Sequence, residues 1–395
     1  MNTFSQSNQG NKKEYSLSQL QSIVIDFLRF PLAIMVIFIH MNPHVISILD
    51  VDFNLLSGQG ILNIVSIIMS HVLARIAVPT FFFISGLLFF SNLQKWSWIG
   101  YKQKINSRMK TLVVPYFVWN LFTFILLIGY NLMGVWLKKE TISDVYSLIV
   151  DRSWHIFYDY YEWGTTTTNW LGESLRMTGP YDLPLWFLRD LIVISILTPL
   201  IYFYIKKMKI YGVVLLFFAY VSGIWTTVPG FNIAAFFFFS TGAYFAFNQI
   251  NIITFVKQNK YFILSICFVL FCITTIYDGS STVIGQNIYP FFVCFGVFSA
   301  FYIASTIVEH YHIKPNKFLV STCFFIYALH YAGLSGSPLA LVQRVLHSLI
   351  PGQSSFENGV CYLLSPLVAA MLCIVVLVVL RKLCPKLTLL FSGNK

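Results

Sequence analysis

The chain has 395 residues, of which 57% are hydrophobic and only 10% charged. A soluble domain carries about 25% charged residues, so the composition excludes a soluble enzyme or binding module and places the chain in a lipid bilayer. Lys and Arg number 26 against 15 Asp and Glu, a formal net charge of +11. These cations stand in short segments between apolar runs, which argues for membrane topology and against a nucleic-acid partner.

Residues 1–19 are polar and read as a surface tail. No short apolar region with a small-residue cleavage site follows, so the first span is expected to act as its own insertion signal. Residues 20–390 read as one transmembrane domain. Hydropathy and length give an all-α polytopic bundle of about ten spans. They are Ile23–Met41, Ile61–Phe90, Leu112–Trp136, Pro184–Ile205, Tyr211–Trp225, Phe231–Phe247, Tyr261–Tyr277, Ile288–Val308, Phe318–Gly333 and Cys361–Leu383. Pro79 is expected to kink the second, and Pro229 and Gly230 separate the fifth from the sixth. The short alternating segments of a membrane barrel are absent.

With the N-terminus cytoplasmic, the inside segments collect most of the cations. They hold Lys12 and Lys13; Lys95, Lys102, Lys104, Arg108 and Lys110; Lys206, Lys207 and Lys209; Lys257 and Lys260; Lys314 and Lys317; and Arg381, Lys382, Lys386 and Lys395. The other face holds only Lys138, Lys139, Arg152, Arg176 and Arg344. The positive-inside rule therefore puts both termini in the cytoplasm and the long acidic, aromatic loop Leu137–Leu183 outside. That loop reads either as a folded lid with an interfacial aromatic belt or as a surface on which sugar rings stack. The seven cysteines lie in or beside spans without a C-x-x-C pair, so they read as buried structural thiols with no metal site and no disulfide framework. No internal repeat of the kind common in transporters is visible.

The remaining arginines, Arg29, Arg75 and Arg189, fall within spans. Ionisable groups at membrane depth are costly and usually face a bundle interior or a wet cavity. Arg29 and His40 are eleven residues apart in the first span. Eleven steps of a helix return to within about 20° of the same face and advance about 16 Å. An anion-binding group and a proton-transfer group thus share one stripe, separated by roughly the reach of a long phosphorylated molecule. In that reading Arg29 holds a phosphate or amide and His40 is a general base. The alternative pairs Arg29 with Asp26 one turn away and leaves His40 at the interface.

Arg75, with His71 one turn before it, opens the run RIAVPTFFFISGLL, where Pro79 and Gly86 allow a bend and a close helix approach. Arg108 and Lys110 are the deepest members of a cluster that either fixes topology or receives an anionic cofactor. Arg189 and Asp190 form an adjacent pair of opposite charge. Tyr327 and His330 share a helical face in FFIYALHYAGL, either as core groups or as a second catalytic set.

Together these segments resemble the membrane acyltransferase-3 family of bacterial acyl-CoA-dependent transferases. Its signature of a basic residue, ten intervening positions and a histidine is met by Arg29 and His40. AVPTFFFISGLL, RMKTLVVPYFVW, LWFL and FFIYALH then follow in the family's order, from Gln21 to about Tyr331. The family often has a second arginine three residues after the first; here Thr111 stands at that place after Arg108, with Lys110 beside it.

The resemblance implies a multi-pass protein of the bacterial inner membrane. The implied donor is an acyl-CoA, usually acetyl-CoA, entering from the cytoplasm with Arg29, Arg75, Arg108 and Lys110 as its cations. The implied acceptor is a hydroxyl of a cell-envelope polysaccharide or its lipid-linked precursor. No serine or cysteine is clearly placed as a nucleophile, so direct transfer and a covalent acyl-enzyme both remain open. A transporter or flippase of a lipid-linked glycan, or a membrane sensor or assembly partner, are the rival classes.

Overall fold

A computed structural model describes residues 16–41, 44–50, 53–91, 96–137, 139, 141–152, 154–163, 177–226, 228–278, 282–333, 336–350, 352 and 354–393. The expected tail up to Tyr15, the charges Lys95, Lys138, Glu140, Arg176 and Lys395, and the loop residues Trp170 and Glu173 lie outside them. The described chain is an all-α membrane bundle with one two-stranded ribbon.

Among the described residues six helices are long and apolar enough to cross a bilayer, and two bent helix pairs raise the number to eight if each pair is one span. Two of the six follow expected spans closely, α12 (Lys260–Tyr277) and α14 (Tyr289–His310), while α1 (Leu17–Met41) starts at Leu17 rather than at the expected Ile23. The fourth expected span is broken. α7 (Trp186–Ile196) meets α8 (Thr198–Met208) at 67°, with Pro199 at the start of α8. Proline there has no N–H to continue the helix. The sixth, α10 (Ile233–Phe247), is followed by α11 (Ile252–Gln258), turned by 97°. The expected fifth and ninth spans are α9 (Ile210–Ser222) and α15 (Lys317–Leu329), both shorter than the roughly 20 residues a straight crossing needs. The last, α17, starts earlier than expected and runs Ser355–Leu383, its first turn closed by a Ser354–Glu357 capping box.

The second span is continuous but irregular. α2 (Gly58–Ser66) passes through a π turn at Ile67–Val72 and a 3₁₀ turn at Leu73–Ile76 before α3 (Ala77–Phe90). Pro79 offers no N–H to the carbonyl of Arg75, so the helix is disturbed on the N-terminal side of the proline. α4 (Trp98–Arg108) joins α5 (Val114–Trp136) through another π turn. Outside the spans lie α6 (Ile142–Arg152) and the antiparallel strands β1 (Tyr161–Trp163) and β2 (Met177–Gly179). The short α13 (Val283–Asn287), the amphipathic α16 (Pro338–Leu349) and a C-terminal α18 (Pro385–Ser392) complete the set. The last two were not anticipated from hydropathy.

In a bilayer the lipid is as apolar as leucine, so packing rather than hydrophobic transfer holds helices together. Two glycines make the closest approach. A Cβ on Gly86 of α3 would lie 2.0 Å from the Phe239 carbonyl oxygen, and one on Gly242 of α10 2.2 Å from that of Phe83. Around this crossing Phe83 meets Phe245, Phe298 and Phe301 edge-on at 5.5 to 5.9 Å. Such pairs contribute about 0.5–1.5 kcal/mol each beyond area burial. All seven cysteines are free thiols; Cys294, Cys323, Cys361 and Cys373 are buried as expected, while Cys384 is exposed at the end of α17.

Candidate functional site

The last turns of α1 present Val36, Ile39 and His40 to a cavity of about 600 Å³. Its other walls come from Arg75 and the start of α3, from Trp186, Arg189 and Asp190 of α7, from the loop between α9 and α10, and from Tyr289, Tyr327 and Tyr331. All lie toward the end of the bundle where α1 terminates at Met41. A mostly apolar cavity of this size with a few converging polar groups fits a small-molecule site.

The His40 ring stacks on Tyr331, centroids 4.6 Å apart and planes at 28°, and lies 5.1 Å from the His330 ring. Both neighbours come from the end of α15. The helix stops at Leu329 and the chain turns through residues 330–333, closing on Gly333 at φ +78. Only glycine adopts that φ without strain. His330 is fully buried, its Nδ1 3.0 Å from the Ile326 carbonyl. A carbonyl only accepts, so in the neutral ring Nδ1 carries the proton and Nε2 the lone pair. Nε2 has no hydrogen-bond partner among the described residues.

The two cavity arginines differ in commitment. Arg189 is buried, gives Nε and Nη2 to Asp190 at 3.0 Å each, and donates Nη1 to the Tyr158 carbonyl at 2.6 Å. Its charge is neutralised in place. Arg75 forms no hydrogen bond or ion pair among the described residues. Asp278, at the end of α12, instead meets His71 at 3.0 Å. Among the described residues Arg75 is therefore the cavity cation with no bonded partner. Tyr327 reaches the cavity too, but its hydroxyl is committed to the Pro184 carbonyl and its ring to Phe187.

The other residues singled out in the sequence stand apart from the cavity. Arg29 and Asp26 form an ion pair at 2.9 Å, both side chains partly exposed, and neither lines the cavity. Arg108 is docked on α3, donating Nη1 to the Ser85 hydroxyl at 2.9 Å with its guanidinium over Phe89. Lys104 donates to the Phe89 carbonyl, and Lys110 is exposed. The structure thus gathers His40, His330, Arg75 and Tyr327, and leaves Asp26, Arg29, Arg108 and Lys110 outside. The sequence reading gave no site role to Tyr331, Trp186 or the α9–α10 loop, all of which line the cavity. Tyr331 had a signal, its place beside His330, and Trp186 stood in LWFL; the loop showed only the break at Pro229 and Gly230.

Asp182, just before α7, is buried at 1% exposure with no hydrogen-bond partner on either carboxyl oxygen among the described residues. Its backbone N–H donates to Asn120 Oδ1 at 3.1 Å. Burial pushes the carboxyl well above the usual range. With the folded value raised, its contribution to stability is full below the unfolded value of about 3.9. It is lost as pH rises through the folded value. Asp182→Asn is therefore expected to flatten the pH dependence of thermal melting in detergent and to raise the melting temperature at alkaline pH. A variant that keeps the wild-type slope contradicts this.

Fold and site define a multi-pass membrane protein with a histidine–arginine cavity built on its first span. A family model described as an acyltransferase domain matches residues 23–381, nearly the whole chain. The protein belongs to this acyltransferase family, the one its motifs resemble, and is a membrane acyltransferase. Neither the curated proteins nor the solved structures give a match.

Proposed function

We propose that the protein moves an acyl group, most simply acetyl, from a cytoplasmic acyl-CoA to a hydroxyl of a cell-envelope polysaccharide or its lipid-linked precursor, across the inner membrane of a bacterium. The observation that carries the reading is the cavity that puts His40 together with Arg75, which has no bonded partner among the described residues, in a chain of acyltransferase family.

In this reading His40 takes the proton of the acceptor hydroxyl as its oxygen attacks the thioester carbonyl. The carbonyl electrons move onto oxygen, and Arg75 faces that developing negative charge. Collapse re-forms the carbonyl, breaks the C–S bond and expels the CoA thiolate, which takes the proton back from His40. His330 and Tyr331 hold the imidazole and support it while it is charged. Neutral imidazole is the working form, so transfer falls on acidification. The aromatic and polar loop between α9 and α10 gives the sugar a wall to stack on.

The donor's negative end would lie on the cation-rich side. Arg108 and Lys110 would meet its phosphates, and Arg29 would exchange Asp26 for a phosphate or amide partway in. Sealed vesicles of known orientation test the arrangement. Acetyl-CoA supplied only to the face carrying Lys104 and Arg108 should support transfer, and Arg29→Ala should raise the concentration needed. Transfer from acetyl-CoA supplied only to the other face contradicts the path.

A further inference from the structure

A hydrogen-bonded clamp holds the end of α1 that carries His40. The helix ends at Met41, and the carbonyls of a last helical turn have no donor within the helix. One of them belongs to Phe38. It accepts a hydrogen bond of 2.7 Å from the hydroxyl of Ser70, a fully buried residue on the π turn Ile67–Val72. The Ser70 hydroxyl lies 2.6 Å from the hydroxyl of Tyr362 on α17. Ser70 has one proton and spends it on a carbonyl that can only accept, so Tyr362 is the donor to Ser70. The Tyr362 ring packs edge-on against Phe38 at 5.8 Å and is itself buried. Three segments far apart in sequence thus meet on one carbonyl two residues before His40.

The π turn is what makes this reach, because one wide turn shifts the side chains that follow it around the helix axis. Such turns inside helices recur at functional sites. We infer that Ser70 and Tyr362 are positioning residues, which fix the height and rotation of the His40 imidazole in the cavity by clamping the last turn of α1. The inference rests on the reading of His40 as the base. Neither residue lines the cavity, so neither meets the substrate.

The test uses the full-length protein in detergent or vesicles, with labelled acetyl-CoA and envelope glycan. Tyr362→Phe keeps the ring on Phe38 and removes only the donor; Ser70→Ala removes the link. Misplacing a catalytic group by about 1 Å can cost about a hundredfold in rate, so each variant should lose about ten- to a hundredfold in kcat. The KM for acetyl-CoA should stay within about twofold. In a His40→Ala background, where slow transfer is counted by long incubation, adding Tyr362→Phe should cause no further loss. A merely structural contact would lower transfer in both backgrounds alike. Unchanged kcat in both variants, or a full further loss in the His40→Ala background, overturns the inference and leaves His40 as base. Wild-type transfer by His40→Ala itself overturns the base and the clamp together.

Discussion

Replacing His40 with alanine is expected to lower acyl transfer by a factor of about 10² to 10⁴, the usual cost of losing a general base. The protein should still fold and insert. The His40 side chain is packed on one side by Tyr331 and on another by His330, but the opposite side is cavity. The truncation therefore enlarges an existing space rather than opening a void in close-packed helices. Label transfer and thermal melting measured on the same preparation separate the two effects. Near-normal transfer by a folded His40→Ala protein removes His40 from the chemistry.

Arg75→Ala should cost nearly as much, roughly 10² to 10³ in kcat, the range seen when one donor to a developing oxyanion is removed. The expectation rests on commitment rather than proximity alone. Arg189 lines the same cavity, but its guanidinium is already engaged by Asp190 and the Tyr158 carbonyl. Arg75 forms no such bond among the described residues. Arg75→Lys should recover part of the rate, since the charge returns without the planar fork. A variant whose kcat is unchanged while the KM for acetyl-CoA rises would move Arg75 from the reacting carbonyl to the donor's phosphates.

Several parts of this architecture were legible in the sequence for plain reasons. Long apolar runs in an almost uncharged chain set the membrane class. Arg29, Arg75, Arg189 and His40 stood out because ionisable groups at membrane depth are costly. Pro79 and Gly86 announced irregularity and close approach, and the structure shows both, the first as the 3₁₀ turn before Pro79 and the second as the α3–α10 crossing.

What was not legible depended on distant contacts. The spacing of Arg29 and His40 on one stripe is local and could be read. So could the Arg29–Asp26 ion pair, one turn away on the same helix, whereas the cavity around His40 is walled by elements as far along the chain as Tyr327 and Tyr331. The 67° break in the fourth span had a signal, Pro199 itself, but the apolar residues on both sides of it read as one continuous span. α16 escaped because an amphipathic helix alternates too evenly to raise the mean hydropathy. Ser70 and Tyr362 carry no sequence signal at all, being 292 positions apart.

The most direct test of the central claim is transfer by the purified protein. Wild-type protein, labelled acetyl-CoA and envelope glycan should yield labelled glycan whose mass rises by one acetyl group per site, released by mild base as an ester. The His40→Ala protein should yield almost none. Glycan that crosses a vesicle membrane with no label attached, equally in wild type and His40→Ala, would contradict acyl transfer and favour a flippase.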